Sequence, residues 1–239
     1  MIKRLSIFFT IIVILALISI YLPEKQSIKN SEKQTTQVTK IIDGDTIETS
    51  IGKIRLLGIN TPEKNQPYYQ EAKEFLNQIE NKTIQVQKDK EDLDKYDRKL
   101  RYIFYQNRII NIEILEKGLA TTFMIEDLIY KDKLKKAEDF AKTNQLNLWE
   151  KSTSECADCI QLQELNPEKE FFIIQNLCNI NCNLTKWTVK DDANHITKLL
   201  PLKSQHQQTY QSKSNIWNNE GDRFFMRDAR GNLVIFYEY

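Results

Sequence analysis

Histidine is scarce: the chain has two in 239 residues, His195 and His206, both in its last third. A hydrolytic centre that needs a histidine base beside a metal is therefore hard to build on the front half. Excess positive charge is also missing, since 34 Lys and Arg stand against 33 Asp and Glu, a formal net charge of +1. A polyanionic partner thus cannot be argued from a broad basic field, and a few placed cations must grip any phosphate. Two further absences concern the N-terminus. Lys3 and Arg4 precede a nearly unbroken apolar run from Leu5 to Leu22, which Pro23 closes. At about 18 residues the run exceeds a secretory h-region and just suffices to span a bilayer. It contains no small-x-small cleavage site, and no cysteine follows it for lipid attachment. Residues 1–23 read as a signal anchor in preference to a cleaved signal peptide. Either reading keeps the basic end in the cytoplasm and places the rest outside, anchored to the membrane or secreted.

The length allows one large or two small domains, each able to bury a core. Residues 24–36 are almost all polar and read as a solvated linker. Strand-like segments follow at Gln37–Ile42, Thr46–Thr49 and Lys53–Gly58, with Gly44 and Gly52 as turn residues. Ala72, Phe75, Leu76 and Ile79 recur at helical spacing between Pro67 and Glu80. Two more strands are expected at Thr83–Gln87 and Leu100–Tyr105. A short helix capped by Asn111 and ended by Gly118 comes next, then a last helix from about Leu128 to Lys142. This order fits a five-stranded barrel of the OB type with added helices, within a mainly β fold.

Three segments carry the chemistry. They are Ile42-Asp-Gly-Asp-Thr46, Arg55-Leu-Leu-Gly-Ile-Asn-Thr-Pro-Glu63 and Asp94-Lys-Tyr-Asp-Arg98. Singly, an Asp-Gly-Asp is usually a turn, and a lone arginine on a strand is usually a solvated surface group. Together they supply carboxylates and arginines suited to a hard cation, a phosphate and a water to be deprotonated. In this order and spacing they resemble the staphylococcal (thermonuclease) nuclease family, over roughly residues 37–150. The resemblance implies a calcium-dependent nuclease acting on single-stranded or locally open DNA and RNA with little sequence preference. It implies Ca²⁺ ligands at Asp45, Asn60 and the Thr61 carbonyl. Arg55 and Arg98 would hold the phosphate, Glu63 would activate the water, and Lys95 and Tyr96 would flank the nucleotide. The chain departs from the family at Asn60, where the family has Asp. Losing one ligand charge implies weaker binding, in the range of about 10⁻⁴–10⁻³ M found in extracellular calcium modules. By charge alone, Asn60→Asp is expected to lower the calcium requirement. A second family tyrosine has no clear counterpart in Thr121-Thr-Phe-Met124. A catalytically weak or silent module, binding nucleic acid or serving envelope adhesion, is the alternative reading.

Beyond a polar joint at 150–154 the composition changes. Short aromatic and β-branched strands are expected at Ile160–Leu165, Phe171–Asn176, Thr185–Val189, Arg223–Arg227 and Leu233–Tyr239, which point to a β-sandwich over 156–239. The pieces Glu170–Asn176, Asn183–Asp191 and Asp222–Val234 resemble the lamin-tail domain, an immunoglobulin-like sandwich with an unidentified ligand. Cys156-x-x-Cys159 and Cys178-x-x-x-Cys182 come close to a four-thiolate zinc pattern, although an exported chain favours disulfides. The two pairs bracket an expected hairpin, which favours Cys159–Cys178 and Cys156–Cys182.

Overall fold

A computed structural model describes residues 32–239, which lie within one compact unit. The expected membrane helix and most of the polar linker lie outside the described residues. Among the described residues, no helix is long and apolar enough to cross a membrane.

The first half is a barrel. Its strands are β1 (Gln34–Ile41), β2 (Thr46–Thr49), β3 (Gly52–Leu56), β5 (Thr83–Gln87) and β6 (Lys99–Tyr105). They run in the order β3-β2-β1-β5-β6, and a parallel pairing of β3 with β6 closes the ring. Alternation drives this closure: Val38, Ile47, Ile54, Leu56, Ile84 and Ile103 point inward and are almost fully buried. β1 is long enough to pair with β5 along its first half and with β2 along its second, with a register shift between Val38 and Lys40. Two short strands, β4 (Ile59–Asn60) and β8 (Thr121–Thr122), pair outside the ring. A third, β7 (Arg108–Ile109), extends the sheet beyond β6.

Three helices flank the barrel: α1 (Tyr69–Leu76), α2 (Ile110–Glu116) and α3 (Lys131–Thr143). α1 starts later than Pro67 because Tyr68 takes a left-handed conformation, φ 65°, and its last turn tightens to 3₁₀ at Asn77–Ile79. Asn111 does not cap α2. It sits inside the first turn, fully buried, with its Oδ1 accepting from Ile103 N and its Nδ2 donating to the Leu57 and Arg101 carbonyls. Its side chain thus serves as a tie between helix and barrel. α3 turns Leu134, Ala137 and Ala141 inward and, unusually, Glu138 with them.

The second half is a sandwich of two antiparallel sheets. One has the order β13-β10-β9, from β9 (Ile160–Asn166), β10 (Phe171–Asn176) and β13 (Gln207–Gln211). The other has the order β12-β11-β14-β15, from β11 (Thr188–Lys190), β12 (Ile196–Lys198), β14 (Arg223–Arg227) and β15 (Leu233–Glu238). Thr185–Trp187, expected as strand, forms a turn instead, with Trp187 N–H donating to the Leu184 carbonyl. Phe172 lies edge-to-face with Phe224 at 5.3 Å between ring centroids, and Trp217 stacks on Phe224 at 5.7 Å, joining the two sheets. Cys156–Cys182 and Cys159–Cys178 are disulfides, and no free cysteine remains among the described residues. The expected pairing holds, and no thiolate is left for zinc.

Barrel and sandwich share a small core of Ala141, Leu148, Trp149, Phe225 and Leu233. The polar joint is drawn into the sheet: Leu233 N–H donates to the Glu150 carbonyl at 2.7 Å, and Ser152 N–H to the Leu233 carbonyl at 2.9 Å. Gly231, at φ 92°, seats the β14–β15 turn on the barrel. A Cβ there would lie 2.3 Å from Cβ of Pro67.

Candidate active site

The site grows from the turn between β1 and β2. Asp45 N–H donates to Asp43 Oδ1 at 3.1 Å, an Asx-type turn of the kind this sequence favours. Gly44 lets the turn press against α1 and the 61–63 loop, since a Cβ there would meet Ala72 at 2.7 Å and Thr61 at 2.8 Å. Asp45 is thereby buried and becomes the hub. Its Oδ2 accepts from the Thr61 N–H and hydroxyl, each at 3.0 Å, and lies 3.3 Å from Arg55 Nη2. Its Oδ1 accepts from the Thr46 hydroxyl at 3.1 Å. Burial, then the charge of Asp45, pushes the Asp43 carboxyl above the usual carboxylate range.

Both arginines reach this hub. Arg55 extends from β3, donating through Nη1 to the Leu56 carbonyl at 2.7 Å and through Nη2 to Asn60 Oδ1. One guanidinium nitrogen therefore touches Asp45 Oδ2 and Asn60 Oδ1 together, so these two oxygens converge. Arg98 arrives from the start of β6. Its Nε donates to Asp94 at 2.7 Å, and its Nη1 to the Thr46 hydroxyl at 3.3 Å. Asp94 also accepts the Tyr96 and Arg98 N–H groups at 2.9 and 3.0 Å. Burial opposes its charge, but these donors and the Arg98 cation hold it below the usual range.

The remaining expected residues stand further out. Tyr96 is 66% exposed, with its ring centroid 5.4 Å from Arg98 Cζ and 5.1 Å from Lys95 Nζ. Glu63 follows Pro62 on the turn that carries Thr61, and its side chain is exposed. The structure does not draw its carboxylate into the Asp45 network. Thr121 and Thr122 are buried in β8, and Met124 beyond them is 79% exposed.

Asp45 Oδ2, Asn60 Oδ1 and the Thr61 carbonyl are all hard oxygens. This donor set fits a dication such as Ca²⁺, whose coordination shell also takes waters. It carries one formal negative charge, that of Asp45.

Sequence reading missed a set of residues from the sandwich. The turn between β11 and β12 lies against the site: Asn60 Nδ2 donates to the Asp192 carbonyl at 2.8 Å, and Asn194 Nδ2 to the Thr61 carbonyl at 3.3 Å. His195 belongs to the same turn, with Nδ1 2.6 Å from Asp191 Oδ2. The scarce histidine is thus not remote from the barrel after all. Asp192 also receives Arg223 Nε at 2.6 Å, while Arg223 Nη1 meets Glu138 of α3 at 2.9 Å. The composition Asp-Asp-Ala-Asn-His signals a turn and nothing more.

A family model described as staphylococcal nuclease homologue matches residues 53–151. That stretch includes every expected site residue of the barrel except Asp45. The chain is 30% identical over 141 residues to a thermonuclease of Staphylococcus intermedius, covering 54% of this chain and 84% of that protein. A thermonuclease of Staphylococcus hyicus is 29% identical over 134 residues, 51% of this chain and 79% of its own length. An uncharacterized endonuclease of Haemophilus influenzae is 33% identical over 127 residues, 49% of this chain and 67% of its own.

Proposed function

The chain belongs to the staphylococcal nuclease family, and from that premise we propose a calcium-dependent nuclease that cuts DNA and RNA outside the cytoplasm. Phosphodiester hydrolysis follows from the family. The observation that carries the finer reading is the convergence of Asp45, Asn60, Thr61, Arg55 and, through Thr46, Arg98.

Asp45 Oδ2, Asn60 Oδ1 and the Thr61 carbonyl would hold Ca²⁺, with Asp43 near enough to act through a water. When bound, the cation supplies Lewis-acid stabilisation of charge on the phosphate oxygens. Arg55 turns from Asp45 toward a phosphate oxygen, and Arg98, braced by Asp94, offers a second guanidinium fork. Both cations oppose the negative charge that grows in the transition state. Glu63, free of ion pairs among the described residues, accepts a proton from the attacking water. The water oxygen bonds to phosphorus as the P–O5′ bond breaks, and the 5′ oxygen takes a proton from solvent, which leaves 3′-phosphate ends. Tyr96, exposed beside Arg98 and Lys95, offers a ring face to a nucleotide base. Lys95 and Tyr96, exposed on the loop before β6, favour single-stranded or locally open substrates.

Two disulfides support an oxidising compartment, which agrees with a signal anchor or signal peptide at residues 1–23. The sandwich over 156–239 is assigned to a lamin-tail-like module that docks substrate or an envelope ligand. Presence of Arg55, Glu63 and Arg98 together weighs against a silent binding module.

The test is cleavage of end-labelled single-stranded DNA and RNA by the purified protein across a calcium series. Cutting is expected to require calcium and to stop with chelator. Arg98→Ala is expected to slow it by about 10²–10³-fold, as loss of one transition-state donor does. Cutting that persists in chelator, or an Arg98→Ala protein of unchanged rate, contradicts the assignment.

A further inference from the structure

Two asparagines bridge the junction of barrel and sandwich, and each is gripped at both ends. Asn60, on β4, accepts from Arg55 at Oδ1 and donates through Nδ2 to the Asp192 carbonyl at 2.8 Å. Asn194, on the β11–β12 turn, accepts from Lys190 Nζ at 2.8 Å and donates through Nδ2 to the Thr61 carbonyl at 3.3 Å. Guanidinium and ammonium groups only donate, and main-chain carbonyls only accept. The Asn60 amide therefore cannot be reversed without losing both of its bonds, and a reversed Asn194 amide would set its oxygen against the Thr61 carbonyl.

We propose that these amides form a reciprocal clasp through which the sandwich orients the two uncharged ligands of the cation site, Asn60 Oδ1 and the Thr61 carbonyl. Asn194 and Lys190 act as positioning residues, and the site is completed by the second half of the chain. This rests on the calcium-dependent nuclease reading above. The turn is a firm support. Asp191, its side chain wholly buried, accepts from the His195 N–H at 2.7 Å and lies 2.6 Å from His195 Nδ1. Asp192 is tied to Arg223 through its carboxylate at 2.6 Å, and to Asp222 through its N–H at 3.1 Å.

The clasp also accounts for the amide at position 60. A carboxylate there has no donor for the Asp192 carbonyl and sets oxygen against oxygen. The charge gained is outweighed by a repulsive contact and a lost hydrogen bond. The expectation from ligand charge alone is thereby reversed.

Calorimetric calcium titration of the full chain tests this, using wild type, Asn60→Asp, Asn194→Asp and Asn194→Ala. Thermal unfolding and the calcium half-point for cutting single-stranded DNA are measured on the same proteins. All three variants are expected to bind calcium about five-fold more weakly, the effect of one hydrogen bond of ordinary net strength. Asn194→Asp is the sharpest case, because it keeps a partner for Lys190 and adds negative charge yet removes the donor to Thr61. High calcium is expected to restore cutting by Asn194→Ala. Tighter binding by either carboxylate variant overturns the clasp, and so does an Asn194→Ala protein that loses stability with unchanged affinity. A wild type that neither binds calcium nor cuts overturns the nuclease reading itself, and the clasp falls with it.

Discussion

Barrel and sandwich are stabilised by different means. The barrel core is mainly aliphatic, with Val38, Ile47, Ile54, Leu56 and Ile103 fully buried, and it contains no disulfide among the described residues. The sandwich relies on rings, chiefly Phe172, Trp217 and Phe224, and on two disulfides that pin the start of β9 beside the end of β10. A closed ring of alternating aliphatic strands packs to high density without cross-links. Short strands with wet edges need more help. Where the two halves meet, packing becomes polar: Arg223 lies between Glu138 of α3 and Asp192 of the β11–β12 turn, all three largely shielded from water. The lesson is that apolar packing builds each half, while charge and directed hydrogen bonds set their register at the site. Buried ion pairs are poor sources of net stability but strong penalties when broken.

The largest effect is expected from breaking that junction. Arg223→Ala leaves Glu138 buried without its main counter-charge and should cost about 3–5 kcal/mol. Denaturant unfolding reads the loss, and calcium affinity should fall with it because the turn bearing Asn194 loses its anchor. A loss confined to a few tenths of a kcal/mol would break the comparison.

A smaller and more local effect is expected from Cys159→Ser with Cys178→Ser. A cross-link of this loop length contributes about 2–4 kcal/mol. Amide exchange should quicken in β9 and β10 while β2, β3 and β6 of the barrel keep their protection. Equal loosening of both halves would show that the two are one cooperative unit.

The smallest effect concerns acid. Burial opposes the charge of Glu138, but Arg223, Lys142 and the Thr122 N–H hold its pKa below the usual 4.5. Its contribution is present above that value and is lost as pH falls through the lowered one. Asp192 has the opposite sign: burial, against the pull of Arg223, raises it to about 6. Its contribution is full below the ordinary aspartate range and is lost as pH rises through about 6. Junction stability should therefore rise as pH falls from about 6 toward 4.5 and decline only below 4.5, a limb that Glu138→Gln flattens. A stability curve falling already at pH 6 would reverse this assignment.

How much of this was legible in the sequence differs between the halves. Alternation revealed the barrel strands because one face of each is dry. β13 was invisible: Gln207–Gln211 is polar except for Tyr210 and lies at a sheet edge, so no periodic pattern marks it. Asn111 looked like a cap because its residue type suits one, yet its amide satisfies three main-chain groups of the barrel. In the site, Asp45, Asn60, Thr61, Arg55 and Arg98 stood in recognisable order, and the structure gathers them. The partners of Asn60 and Thr61 lie 132 and 133 residues away in the chain. Local sequence carries no trace of such a contact, so counting ligand charge at position 60 omitted the group that faces it.

The central claim is that Asp45, Asn60 and the Thr61 carbonyl share one cation while Arg55 and Arg98 hold the adjacent phosphate. A crystal structure with calcium and a nucleotide 3′,5′-bisphosphate, with the anomalous signal of calcium recorded, tests it most directly. The account expects one calcium peak among those three oxygens, with Arg55 swung from Asp45 onto phosphate and Asn194 still bonded to Thr61. Calcium bound elsewhere, or Arg55 still paired with Asp45 beside a bound nucleotide, would contradict it.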